Sequence, residues 1–275
     1  MELSNLLQML GRILGLLGSL TPDADSQAKL KIMPLGDSIT ANTCWRTLLW
    51  DNLRDAGVTP GIQFVGSSSS DAGACVGTGT WDHHHEGHGG YTAVDIADNN
   101  LVGWLDAARP DVVVFMLGTN DVTHGRATSA IIAAYTKMVG EMRGSNPSMK
   151  IIVDLVIPLS GAGNSGVVAL NAAILPWAKS LNSTDSPIYI ADTNTGFTDR
   201  DLADGVHPNS DGDRKIAGRL YPILLQIINE NREASNAVEY LLGHLDGDLD
   251  GDVDGDVDGD LDGDGNIYGA DYGII

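Results

Sequence analysis

The stretch VVVFMLGTND, Val112–Asp121, decides the fold class. Its first six residues are apolar and begin with three valines, which is typical of a strand buried on both faces of a parallel sheet. The apolar run stops at Gly118, and the polar residues Thr119, Asn120 and Asp121 follow at once. Because ligands of open parallel sheets bind beyond the carboxyl ends of the strands, we expect Asn120 to lie at a functional edge.

The same alternation of short apolar runs and amphipathic stretches extends in both directions from this segment. The apolar runs predict strands at Leu30–Leu35, Ile62–Gly66, Val112–Leu117, Lys150–Val156 and Ile188–Ile190. The stretches between them predict helices near Trp45–Asp55, Ala93–Ala107, Ser129–Arg143, Ser165–Leu181 and Asp211–Ile228. This order predicts an α/β domain, a three-layer α/β/α sandwich around a five-stranded parallel sheet.

Further polar groups follow other predicted strands. Ser38 stands in the turn after the first strand, where its hydroxyl would be exposed as a nucleophile. Asp204 precedes His207 by three residues, so its carboxylate can accept a hydrogen bond from Nδ1 and leave Nε2 free to take a proton. The amide of Asn120 and the backbone N–H of Gly90 are candidate donors to an oxyanion. Each group alone also fits a capped turn, but their recurrence at strand ends favours a catalytic site.

The motifs GDSIT at 36–40, GTND at 118–121 and DGVHPN at 204–209 resemble the sequence blocks of the SGNH (GDSL-like) hydrolases, which have a flavodoxin-like fold. The resemblance covers about residues 30–229. MPLGDSIT, HEGHGGYTAVDIA and VVVFMLGTNDV are similar to carbohydrate esterase family 3 in particular. The resemblance implies that Ser38 is the nucleophile, His207 the general base and Asp204 its orienting carboxylate. It also implies an oxyanion hole formed by the Ser38 and Gly90 N–H groups and the Asn120 amide, with no cofactor for catalysis.

This family implies a secreted serine esterase that removes acetyl groups from plant cell-wall polysaccharide such as acetylxylan, through an acyl-enzyme. An SGNH lipase or lysophospholipase, or another carbohydrate deacetylase, is the enzymatic alternative. An alternative of another class is a calcium-dependent scaffold-attachment protein with an inert hydrolase domain. Trp45, Trp81 and Tyr91 are candidate stacking surfaces for sugar rings, or packing residues.

The segment WDHHHEGHGGYT, residues 81–92, contains four of the seven histidines. A metal site there is disfavoured, because three successive histidines do not easily face one ion and no cysteine supports zinc. The resemblance instead makes this segment the loop that presents Gly90.

Two cysteines, Cys44 and Cys75, are both predicted to lie near the catalytic edge of the sheet. A Cys44–Cys75 disulfide is favoured and would fit an extracellular protein, and two buried free thiols are the alternative.

Charge is unevenly distributed along the chain. The formal net charge is −21, from 37 acidic and 16 basic residues, and eleven of the acids are aspartates within the last 30 residues. This excess of negative charge disfavours binding to nucleic acid or to an anionic membrane.

The acidic segment contains one calcium-loop pattern of twelve residues. Its predicted ligands are Asp260, Asp262, Asp264, Asn266 and Asp271. The Asp at the twelfth position and the following YGII resemble half of a dockerin repeat, which implies a cohesin-type scaffold protein as a partner. A solvated acidic tail is the alternative.

We therefore expect three regions. Residues 1–28 form an amphipathic segment and linker, for which a signal peptide is the competing interpretation, and the apolar run is too short to span a membrane. Residues 29–230 form the catalytic domain, and residues 231–275 form a linker and the Asp-Gly repeat.

Overall fold

The computed structural model describes residues 28–70, 75, 77 and 79–247, with side chains described as far as Tyr240. The chain divides into two compact units after Arg232. The first unit contains the sheet and the core. The described part of the second unit is helical through Gly247.

A parallel sheet forms the centre of the first unit. Its strands are β1 (Leu30–Gly36), β2 (Ile62–Phe64), β3 (Glu86–Gly87), β4 (Val112–Met116), β5 (Lys150–Asp154) and β6 (Ile188–Ala191). The strand order is β2-β1-β4-β5-β6, and β3 pairs with the end of β1 through Leu35↔Glu86 and Gly36↔Gly87. The predicted five-stranded parallel sheet is therefore confirmed, with β3 as a short addition.

Helices cover both faces of this sheet. They are α1 (Ser38–Asn42), α2 (Trp45–Asp55), α3 (Ala93–Asn99), α4 (Leu101–Ala108), α5 (Thr119–Thr123), α6 (Thr128–Ser145), α7 (Asn164–Leu181) and α8 (Ser210–Gly247). One core cluster packs α3, α4, α6 and α7 against alternate strand residues such as Met33, Phe115 and Val153. The other packs α2 and the first turns of α8 against the intervening residues, such as Ile32 and Val114. Alternation of side chains between the two faces explains why the strands read as continuous apolar runs.

The structure differs from the sequence prediction in its short elements. The single helix predicted over Ala93–Ala107 is two helices, because Asn100 leaves the helical backbone conformation (φ −125°, ψ −44°). Helices α1 and α5, of five residues each, and the two-residue strand β3 were not predicted, since such short elements cannot show a period.

The strand order fixes where a site can form. The chain runs outward in one direction from β1 to β2 and in the other from β4 to β6, so the switch point lies between β1 and β4. Helices α1 and α5 begin immediately after these two strands. The first residues of both helices therefore lie on either side of the crevice where such sheets bind ligands.

Candidate active site

Ser38 is the first residue of α1, directly after β1. Asp37 caps this helix, since its Oδ1 accepts a hydrogen bond from the Ile39 N–H at 2.9 Å. A Cβ at Gly36 would lie 2.2 Å from the Thr40 hydroxyl, so only glycine allows the chain to turn this tightly into the helix. The turn leaves the Ser38 side chain partly exposed at the carboxyl edge of the sheet.

Asp204 and His207 lie in one tight loop just before α8. The Asp204 Oδ1 atom accepts hydrogen bonds from the backbone N–H groups of Val206 (3.0 Å) and His207 (2.8 Å). The Ala203 N–H donates to the His207 carbonyl at 2.8 Å, which closes the loop. The three-residue spacing read in the sequence thus places the carboxylate beneath the imidazole.

The structure brings Ser38, His207 and Asp204 into one hydrogen-bonded chain. Ser38 Oγ lies 2.8 Å from His207 Nε2, and His207 Nδ1 lies 2.8 Å from Asp204 Oδ2. The hydrogen bonds from His207 and Val206 lower the pKa of Asp204 to about 2, so this carboxylate stays ionised at any ordinary pH. An ionised Asp204 fixes the proton on Nδ1 and leaves Nε2 as an acceptor for the Ser38 hydroxyl.

Two free backbone donors lie beside Ser38. Within the part of the chain that the structure describes, neither the Ser38 N–H nor the Gly90 N–H has a hydrogen-bond acceptor. Gly90 occupies a turn with φ +81°, a conformation that favours glycine. Its neighbour Gly89 is so close to the serine that an added Cβ would lie 3.8 Å from Ser38 Cβ. Free N–H groups next to a serine hydroxyl can stabilise a developing oxyanion.

Asn120 joins this group from the other side of the crevice. Its Nδ2 donates to the Tyr91 carbonyl at 2.9 Å and, at the longer distance of 3.3 Å, to Asp37 Oδ2. The first hydrogen bond ties α5 to the turn that carries Gly90. The longer one is the weaker, so this N–H can be redirected to a substrate oxygen at little cost.

Two buried carboxyls hold these elements together, and sequence reasoning missed both roles. Burial raises the pKa of Asp37 to about 6. Asp121 accepts hydrogen bonds from Ala93 N–H (2.7 Å) and Val94 N–H (3.4 Å), and burial raises its pKa as well. Asp121 thereby anchors the start of α3 beside the Gly90 turn. The only sequence signal was their presence in GDSIT and GTND, where helix capping was the plainer interpretation.

The model of the GDSL-like lipase/acylhydrolase family matches residues 35–215, which include every residue of this site. A carbohydrate esterase family 3 structure from Talaromyces cellulolyticus is 46% identical, with 73% of this chain and 99% of that chain covered and a TM-score of 0.71. The chain belongs to carbohydrate esterase family 3, within the GDSL-like hydrolases. It is a carboxylic ester hydrolase.

Other relatives of this esterase agree with that assignment. An acetyl esterase solved with acetate ion is 45% identical, with 73% of this chain and 99% of that chain covered and a TM-score of 0.71. A family 3 carbohydrate esterase of Clostridium thermocellum is 27% identical, with 74% and 98% covered and a TM-score of 0.63. A multidomain esterase of Ruminococcus flavefaciens is 28% identical over 229 residues, and this chain spans 29% of its length.

The histidine-rich loop of the esterase does not form a metal site. His85 is buried, its Nε2 lies 2.8 Å from the Ser70 carbonyl, and its Nδ1 accepts from the Gly87 N–H at 3.0 Å. Burial, with the charge of Arg46, lowers the pKa of His85 to about 4. Among the described residues, no three His, Cys, Asp or Glu side chains are grouped to hold a metal ion.

The remaining predicted residues have different outcomes. The Cys44–Cys75 disulfide is confirmed. Trp45 and Trp81 are 2% and 9% exposed within the core, so the prediction that they stack on sugar rings is wrong, whereas Tyr91 is 39% exposed. None of the described helices is both long enough and apolar enough to cross a bilayer. The predicted calcium ligands, Asp260 to Asp271, lie outside the described residues.

Proposed function

We propose that this esterase removes acetyl groups from acetylated carbohydrate, with acetylxylan as the substrate, through a Ser38-His207-Asp204 mechanism. The observation that carries the proposal is the hydrogen-bonded chain from Ser38 Oγ through His207 to Asp204 at the switch point of the sheet. Acetyl specificity is supported by the 45% identity to an acetyl esterase solved with acetate ion.

The first half-reaction forms an acetyl-enzyme. His207 Nε2 takes the proton of Ser38 as its Oγ attacks the ester carbonyl carbon. The N–H groups of Ser38 and Gly90 donate to the resulting oxyanion, and Asn120 turns its second N–H from Asp37 toward the same oxygen. His207 then gives its proton to the departing sugar oxygen as the carbon–oxygen bond breaks.

The second half-reaction releases acetate. Water enters in place of the sugar and loses a proton to His207 Nε2 as it attacks the acetyl carbon. Ser38 Oγ leaves and takes this proton back from His207, which restores the free enzyme. Asp204 keeps its charge throughout and stabilises the imidazolium in both halves.

Ser38→Ala tests this mechanism directly. We expect kcat for p-nitrophenyl acetate to fall at least about 1000-fold, because no nucleophile remains. The melting temperature should not change, since the Ser38 side chain packs against no core element. A purified Ser38→Ala protein with near-normal turnover would remove Ser38 from the mechanism.

A series of esters tests the substrate. With p-nitrophenyl acetate, butyrate and palmitate, we expect kcat/KM to be highest for the acetate and to fall about 10-fold or more by the palmitate, and acetate release from acetylxylan should be measurable. A preference for palmitate would favour a lipase instead.

We also propose that residues 260–271 bind Ca²⁺ and that the protein is secreted. The calcium proposal rests on the twelve-residue spacing of oxygen ligands, including the Gly at its sixth position. Secretion is supported by the Cys44–Cys75 disulfide, since such bonds persist in oxidising surroundings. Attachment to a cohesin-type scaffold depends on that calcium loop and is part of the same proposal.

A further inference from the structure

Two acid–histidine pairs lie next to each other in the loop before the Gly90 turn. His84 Nδ1 is 2.6 Å from Asp82 Oδ1, and His88 Nε2 is 2.6 Å from Glu86 Oε1. Both pairs have the same two-residue spacing, but they differ in burial. The side chains of His84 and Asp82 are 55% and 22% exposed, whereas those of His88 and Glu86 are 25% and 1% exposed.

The Glu86 carboxylate is held in place from several sides. Its backbone belongs to β3, which pairs with the last residues of β1 just before the nucleophile. Its Oε2 accepts the Ser67 N–H at 2.8 Å, and its Oε1 accepts the Ser67 hydroxyl at 2.6 Å. A buried carboxylate with these fixed donors has one orientation, so it offers the His88 ring one position.

His88 connects this fixed carboxylate to the Gly90 turn. Its N–H donates to the Gly36 carbonyl at 2.9 Å, and its own carbonyl accepts the Tyr91 N–H at 3.2 Å, which closes the turn around Gly89 and Gly90. Its ring stacks on Trp104, with centroids 4.4 Å apart and planes 12° apart. The residue that begins the turn is thus fixed at its backbone, its ring nitrogen and its ring face.

We propose that Glu86 and His88 are positioning residues that hold the Gly90 N–H in the direction required by the oxyanion. The inference rests on the proposed role of Gly90. Without the His88 ring, the turn keeps its backbone hydrogen bonds but loses the contacts that fix its orientation against Ser38. Because an oxyanion donor acts mainly on the transition state, a displaced donor lowers kcat and leaves KM nearly unchanged.

The experiment compares the two pairs. We expect His88→Ala to lower kcat for p-nitrophenyl acetate by about 10-fold to 100-fold with KM within about 2-fold, since small misplacements at a reacting centre cost that much. His84→Ala is the matched control and should keep kcat within about 2-fold, because its ring is exposed and does not contact the turn. A merely structural role would lower the melting temperature of the variant without separating kcat from KM.

A conservative variant and a reference variant complete the test. His88→Gln can still donate to Glu86, so its kcat should lie between those of His88→Ala and the parent protein. Asn120→Ala should lower kcat by about 100-fold, the effect typical of losing one oxyanion donor. Glu86→Gln, which keeps the shape of the side chain, should also lower kcat if the carboxylate positions the ring.

Each outcome decides the matter. If Asn120→Ala is impaired while His88→Ala and Glu86→Gln turn over normally, the positioning role is overturned and the proposed function stands. If Ser38→Ala and Asn120→Ala both keep full activity, the proposed mechanism fails and the positioning role fails with it. If His88→Ala does not fold, His88→Gln and Glu86→Gln decide, and normal kcat values in both overturn the inference.

Discussion

Asp37 shows how burial beside the nucleophile determines what a carboxyl group can do. It is 1% exposed, and its burial raises its pKa to about 6. One oxygen caps α1 and the other accepts an N–H of Asn120 at 3.3 Å. Asp37 therefore orients both Ser38 and Asn120, while Asp204, with its pKa lowered to about 2, is the carboxylate that serves His207.

His85 predicts a pH dependence of stability. Its pKa of about 4 in the folded protein lies below the value of 6.5 expected when unfolded, because burial disfavours the charged ring. Between these values the unfolded chain binds a proton that the folded protein does not, so the contribution of His85 to stability is lost as the pH falls from about 6.5 to about 4. The loss should be on the order of 2–3 kcal/mol.

The measurement is urea denaturation of the parent protein and His85→Asn between pH 7 and pH 4.5. The stability advantage of the parent should shrink as the pH falls. The difference between the two proteins is needed because Asp37 and Asp154, whose pKa values are raised by burial, change stability in the opposite sense. A difference that is constant across this range would contradict the prediction.

At the scale of elements, Asp213 ties the His207 segment to the Ser38 segment. It lies in the first turn of α8, is 4% exposed, and its Oδ2 accepts the Cys44 N–H at 3.1 Å, just before α2. The Cys44–Cys75 disulfide holds the same point from the other side. Two elements that are far apart in sequence are therefore joined six residues beyond the catalytic contact itself.

Asp213→Ala should destabilise the protein by about 1–2 kcal/mol, because the start of α2 loses its buried acceptor. Asp213→Asn should cost less, since burial already raises the pKa of this carboxyl and a neutral amide keeps the acceptor. Asp211→Ala is the control. It removes an exposed ion pair with Arg214 in the same turn and should change stability by less than about 0.5 kcal/mol. Equal losses in Asp213→Ala and Asp211→Ala, measured by chemical denaturation, would argue against this tie.

The elements also show what the sequence can and cannot predict. The apolar runs predicted all five main strands, and the motifs at their ends predicted Ser38, Asp204 and His207, which the structure joins by hydrogen bonds. Long-range contacts such as Cys44 to Asp213 leave no periodic signal, so they were not predicted. The aromatic side chains failed for a related reason, because only packing decides that Trp81 is buried and Tyr91 exposed.

At the scale of the whole molecule, charge separates the catalytic domain from the C-terminal segment. Of the net charge of −21, the last 30 residues contribute −11 and the rest −10. An uncharged polysaccharide is indifferent to the charge of the first part. Divalent cations are the natural partners of the second.

Titration calorimetry of the full chain with CaCl₂ checks this. We expect saturable binding below about 1 mM Ca²⁺ and much weaker binding of Mg²⁺, which prefers a stricter geometry. A variant that ends at Gly247 should show neither and should keep its esterase activity. The absence of calcium binding at millimolar concentration would remove this proposal and leave the enzymatic one intact.

The Ser38–His207 and Cys44–Asp213 contacts each join residues 169 positions apart. During synthesis the nucleophile therefore emerges from the ribosome long before its base exists. The base also needs the first turns of α8, whose Ile216, Leu220 and Leu224 complete one core cluster. Any nascent or prematurely terminated chain that lacks α8 is thus silent as an esterase, and activity reports that translation and folding of the domain have both been completed.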